Sequence, residues 1–174
     1  MTDQQTPAFI DFEASSLDLV ASYPIEVGVC LADGEPQSWL IRPHVLWQEW
    51  SDSAQRIHGI RRELLDEQGQ SPRAVAETLN RLLPESVYCD AWTFDRFWLH
   101  RLFRAAGLKP TFSLESVALI LTPAEVDLWA SERANVIHEM ELVTHRAGND
   151  ARILHETWKR IAAQRPPWQS AQSG

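Results

Sequence analysis

A mixed α/β domain with one sheet covered by helices is the fold class this sequence predicts, on three observations. Short apolar segments with strand character open the chain, at residues 8–13, 25–31 and 37–41. Beyond residue 70 the apolar residues recur at helical spacing, interrupted by one short strand candidate at 87–89. No Gly/Ser-rich linker, internal repeat or low-complexity block divides the 174 residues, a length that suits one domain with a real core.

The elements follow in order. Ala8 to Glu13 reads as the first strand and Ile25 to Leu31 as the second, and Gly34 turns the chain into a third, Gln37 to Ile41. The strand-turn-strand opening predicts that these three are antiparallel, unlike a doubly wound nucleotide fold. Ser71-Pro72 starts a helix that carries Val75, Leu79, Leu82 and Leu83, and Pro84 stops it. Thr93 precedes Phe94, Phe97, Trp98, Leu102 and Ala105, an amphipathic helix ended by Gly107. Thr122-Pro123-Ala124-Glu125 combines an N-cap, a proline at the first helical position and a capping-box Glu. That helix is expected to run towards His145 and to be broken by Gly148-Asn149. A last helix places Ile153, Leu154, Thr157, Trp158 and Ile161 on one side, and the Pro- and Ser-containing tail from Arg165 is expected to fray.

Composition excludes several function classes. Met1 to Pro7 is polar, and no apolar run approaches the ~18 residues that span a bilayer, so a cytoplasmic protein with no membrane partner is expected. Cys30 and Cys89 sit in apolar stretches outside any CxxC pattern and are expected to be buried thiols. The net charge is −8 and the densest basic cluster is Arg61-Arg62, too little to grip a long nucleic acid. A nucleic-acid substrate would therefore be held over a few nucleotides at one end. No P-loop and no Gly-x-Ser-x-Gly elbow occurs. His138-Glu139 fails as a zinc-protease motif, because position 142 is Leu.

Four carboxylates and one histidine carry the chemistry. Asp11 and Glu13 alternate with Ile10 and Phe12, so both acids share one face of the first strand with Cα atoms about 6–7 Å apart. Both can reach one divalent cation at that distance. Asp95 falls in the first turn of the middle helix, and Asp150 in the first turn of the last, five residues after His145. An acid at a helix N-terminus is stabilised by the dipole, and either Asp alone would need no other role. Asp90 offers a further carboxylate beside Asp95.

In this order the residues resemble the DEDDh 3′→5′ exonucleases, a family with a ribonuclease H-like fold that includes polymerase proofreading subunits, ribonuclease T and oligoribonuclease. The likeness rests on Phe9-Ile10-Asp11-Phe12-Glu13-Ala14-Ser15-Ser16-Leu17, on Val87 to Asp95, and on His145-Arg146-Ala147-Gly148-Asn149-Asp150. Ile57-His58-Gly59-Ile60 matches a shorter segment between them. It covers about residues 8–163, with an exonuclease domain over 1–165 and a tail at 166–174. Two departures stand out: Asp90 and Ala91 occupy places where the family usually has His-Asn, and Ser-Ser-Leu replaces Thr-Gly-Leu or Thr-Thr-Gly.

The resemblance implies two divalent cations, Mg²⁺ or Mn²⁺, on Asp11, Glu13, Asp95 and Asp150, an all-oxygen set that suits hard ions. Asp11 would bridge them, with Glu13 and Asp150 on one and Asp95 acting mainly through water. His145 would be the general base, on a loop that Gly148 lets swing. Single-stranded nucleic acid with a free 3′ end is the implied partner, RNA or DNA, cut to 5′-mononucleotides; compact relatives also imply a homodimer. Ser15, Ser16, Leu17, His58, Trp92 and Phe94 are the implied contacts to the substrate. Among the eight tryptophans, Trp98, Trp129 and Trp158 read as core, whereas Trp47, Trp50 and Trp92 read as freer, with Trp92 the stacking candidate. The alternative is a catalytically silent binding or interaction domain on the same fold.

Overall fold

The computed structural model describes residues 6–166. Five strands form one sheet: β1 (Ala8–Ala14), β2 (Pro24–Cys30), β3 (Pro36–Leu40), β4 (Ser86–Cys89) and β5 (Ser113–Ser116), in the spatial order β3-β2-β1-β4-β5. The pairs β1–β2 and β2–β3 are antiparallel, as their short connections require, whereas β1–β4 and β4–β5 are parallel and joined through helices. Among the described residues six α-helices flank the sheet: α1 (Asp52–His58), α2 (Arg62–Gln68), α3 (Pro72–Leu82), α4 (Trp92–Ala106), α5 (Pro123–Met140) and α6 (Ala147–Ala163).

Alternation along β1 divides the core in two. Ile10 and Phe12 face a large cluster with Val75, Leu79, Leu99 and Leu102 of α3 and α4. Phe9 faces the other way and packs with Val117, Leu154 and Trp158, beneath α6. Every residue of β2 is buried, the pattern of a strand covered on both faces. Both cysteines are buried and free.

Cap chemistry sets several boundaries. Ser71 caps α3 ahead of Pro72, and Thr122 and Glu125 close a capping box at the start of α5. Gly107 takes a left-handed φ of 65° and ends α4. Four expectations need correction. The middle helix begins one residue before Thr93, at Trp92, with Ala91 as N-cap. The α5 helix stops at Met140, where Glu141 turns left-handed, five residues short of His145. Gly148 and Asn149 then lie inside the first turn of α6 and break nothing. Trp47 is 5% exposed rather than free, because its ring stacks on Tyr23 at 5.3 Å. Trp98 and Trp158 are core, and Trp50 and Trp129 are half-buried. Residues 167–174 of the expected tail lie outside the described residues. Among the described residues no helix is long and apolar enough to cross a membrane.

Candidate active site

The C-terminal half of β1 presents Asp11 and Glu13 on the face that α6 covers, and the antiparallel register sets Gly28 opposite Asp11 and Glu26 opposite Glu13. Gly28 is what lets α6 come close. A Cβ there would stand 2.1 Å from the carbonyl carbon of Ala147, so any side chain would push the helix start off the sheet. The N-terminus of α6 instead rests on β2, and its first turn carries Asp150 to the two strand carboxylates. Ligand atoms of Glu13, His145 and Asp150 lie within 4.8 Å of one another. From the opposite side, the first turn of α4 adds Asp95.

These residues line one cleft of ≈ 310 Å³. Asp11, Glu13, Asp95, Asp150 and His145 all border it, and so do Ser16, Leu17, His58 and Phe94. Ser15 and Trp92 do not. Ser15 is buried, donating from Oγ to Glu49 and accepting the Tyr23 N–H at 3.1 Å, so it anchors the β1–β2 connection. Trp92 donates from Nε1 to the Leu114 carbonyl at 3.0 Å, and the Arg96 guanidinium lies 5.0 Å from its ring. Those contacts tie the start of α4 to β5.

Crowded carboxylates in poor solvent resist ionisation. Burial comes first for each; Asp95, Asp150 and Glu13 then add their charge at Asp11, which titrates well above the usual range. Glu13 is pushed up to about 8, by burial and then by Asp150 and Glu26. Asp95 and Asp150 are raised as well, burial again leading. Both carboxylate oxygens of Asp95 and Oδ1 of Asp150 are buried with no hydrogen-bond partner. Such groups are costly unless a cation completes them, so the donor set fits a hard divalent ion.

His145 is exposed and holds a left-handed φ of 62°, and its N–H donates to Asp150 Oδ2 at 2.9 Å. That bond uses one oxygen of Asp150 and leaves the other facing the cleft. The expectation that Gly148 lets this segment swing is corrected: Gly148 is helical, and a Cβ on it would meet Ser38 of β3 at 3.2 Å. Burial lowers the His58 imidazole from its ordinary value; Nδ1 accepts the Ile60 N–H at 3.0 Å, and Nε2 is left without a partner.

No family model matches the chain, and no curated protein matches it in sequence. Solved structures do match. Exonuclease I of E. coli in complex with a dA16 oligonucleotide aligns with a TM-score of 0.70 at 15% identity, over 94% of this chain and 42% of that one. Its zinc-bound complex with single-stranded DNA gives 0.69 at 14%, over 95% and 42%. Pop2p of S. pombe, in its Mg²⁺- and Mn²⁺-bound form, gives 0.60 at 12%, over 92% and 84%. The chain shares the ribonuclease H-like fold of these structures, one mixed five-stranded sheet flanked by helices. It spans less than half the length of exonuclease I.

Three further features stand in or beside the cleft. Arg133 of α5 borders the cleft with its Nε 3.5 Å from Asp90 Oδ2, so Asp90 is occupied by a cation of the chain itself, unlike Asp95. Ala54 and Ile57 of α1 form another wall. Glu26, 1% exposed, accepts the Ala147 N–H at 2.7 Å and the Arg146 guanidinium through Nη2 at 2.7 Å and Nε at 3.2 Å. It caps α6 and grips the residue next to His145. A charged residue in the middle of the apolar run Pro-Ile-Glu-Val-Gly-Val-Cys is the signal that could have found it.

Proposed function

We propose that the protein is a metal-dependent 3′→5′ exonuclease that removes 5′-mononucleotides from single-stranded nucleic acid. The observation that carries this is the unpartnered pair of Asp95 oxygens buried beside Asp11, Glu13 and Asp150 in one cleft. Asp11, Glu13, Asp95 and Asp150 would hold the two divalent cations, Mg²⁺ or Mn²⁺. Bound there, the cations would neutralise the carboxylates and stabilise the entering and leaving oxygens of an in-line displacement.

His145 stands at the cleft rim, and it takes the proton of the attacking water as the new P–O bond forms and the P–O3′ bond breaks, the leaving O3′ gaining its proton from water. The products are a 5′-mononucleotide and a strand with a new 3′-hydroxyl. Leu17, 70% exposed, and Phe94 flank the place for the terminal base, and the free Nε2–H of His58 donates to the terminal nucleotide. The oligonucleotide complexes of exonuclease I and the Mg²⁺- and Mn²⁺-bound Pop2p support the same reading through the fold.

Digestion of 5′-labelled single-stranded RNA and DNA, with Mg²⁺, Mn²⁺ or EDTA, tests the proposal. A ladder shortening from the 3′ end is expected, lost with EDTA and reduced by about 10³-fold or more in Asp11→Asn and His145→Ala. A folded protein that binds strands with metal present and cleaves none is instead a silent binding domain.

A further inference from the structure

Helix α4 begins inside the cleft and does not end there. Phe94, Asp95 and Trp98 line the cleft, and Phe97, His100, Arg101 and Arg104 line a second cavity of ≈ 570 Å³ beside it. His44, Leu46 and Trp47 close that cavity from the segment after β3. Phe94, Phe97, Arg101 and Arg104 recur at intervals of three and four, so they share one side of the helix. The ten helical steps from Phe94 to Arg104 make that stripe about 15 Å long.

Its charge is opposite to that of the molecule. The whole chain carries −8, yet α4 holds Arg96, Arg101, Arg104 and His100 against a single acid, Asp95, which points into the cleft. None of the ion pairs among the described residues engages a residue of α4. Five other arginines, 73, 133, 146, 160 and 165, are paired with carboxylates. Arg101 lies 5.6 Å from the Phe97 ring and donates from Nη1 to the Val20 carbonyl at 3.0 Å. Arg96, His100 and Arg104 are exposed. Unpaired cations interleaved with aromatic rings are what a single strand needs, since phosphates meet the guanidinium groups and unpaired bases meet the rings.

We infer that this side of α4, with His44 and Leu46 opposite, is the track that holds the strand upstream of its 3′ end. The inference rests on the exonuclease reading of the cleft and adds where the rest of the substrate lies. A stripe of about 15 Å serves a few nucleotides, so affinity should climb with strand length and then level off.

The test uses Asp11→Asn as parent, to prevent digestion, and 5′-fluorescein strands of two and seven nucleotides in Mg²⁺, with anisotropy read at several salt concentrations. The parent is expected to bind the seven-residue strand at least tenfold more tightly than the two-residue strand. His100→Glu/Arg104→Glu is expected to abolish that ratio, and Arg104→Gln, which removes charge alone, to lower it and to reduce the salt slope by about one. Thermal melts verify that each variant is folded. A folded variant with the parent's length ratio overturns the track and leaves the exonuclease reading standing. So does a heptaglutamate peptide that displaces the strand at equal concentration, which would make the surface a site for acidic protein. An unsubstituted protein that cleaves no strand, with a parent that binds none, overturns both.

Discussion

At the scale of single residues, the proposed metal ligands differ from the carboxylate that holds the local geometry. Asp11, Glu13, Asp95 and Asp150 are alike in type, and burial raises all four. Glu26 lies on the same face yet spends both oxygens on Arg146 and the Ala147 N–H. Its role is to fix where His145 and Asp150 stand. Glu26→Gln keeps one acceptor and one oxygen too few, so the helix cap or the guanidinium must let go. We expect a loss of about 1–3 kcal/mol in urea unfolding and a fall of tenfold or more in kcat. Wild-type kcat in a folded Glu26→Gln protein would show that the carboxylate is dispensable for positioning. His145 is the complementary case, a non-glycine residue at φ 62° whose strained backbone is held by its own N–H bond to Asp150.

At the scale of elements, the close approach of α6 to β2 makes the cleft possible, and one atom decides it. Gly28→Ala would place a methyl 2.1 Å from Ala147, in backbone that cannot rotate away. We expect about 1–3 kcal/mol of destabilisation by thermal melting, with activity falling further than stability explains because Asp150 moves. A melt and a rate both unchanged would mean the helix tolerates the shift. Much of this was legible in the sequence. Alternation fixed the face of Asp11 and Glu13, and the caps at Ser71 and Thr122 marked two helix starts. What was not legible had little local signal. The β5 strand is Ser-Leu-Glu-Ser and exists through its parallel pairing with β4. Helices α1 and α2 have seven residues and one buried residue each, too short for an apolar stripe. Gly148-Asn149 looked like a breaker, but Gly148 is the small residue that lets α6 lie against Ser38. Arg133 reaches the cleft from a helix whose sequence carries no motif at that position.

At the scale of the whole molecule, the cleft stores electrostatic repulsion that links folding, pH and metal. A carboxyl whose pKa is raised by folding stabilises the fold fully below its unfolded value, and that contribution is lost as pH rises through the folded value. Glu13, at about 8 against an ordinary 4.5, therefore withdraws stability across the neutral range, and Asp11 and Asp95 act in the same direction. The buried His58 and His155 are lowered instead, so their contribution is present at high pH and lost as pH falls through 6.5 and below. Cys30 and Cys89 are raised from 9.0, which confines their effect to more alkaline solution. Between pH 6.5 and 8.5 the carboxylates dominate the slope, with the histidines opposing them at the lower end and the thiols adding to them at the upper. In EDTA the melting temperature should fall across that window, by an amount corresponding to about 1 kcal/mol or more, roughly 2–4 °C for a chain of this size. Mn²⁺ should raise it at every pH and most at 8.5, because the ion competes with protons for the same oxygens. Asp95→Asn should melt higher than the unsubstituted protein in EDTA and lose most of the Mn²⁺ increment, since it removes one buried charge and one ligand together. A melting temperature flat with pH and indifferent to Mn²⁺ would mean that the four carboxylates neither repel one another nor share a cation.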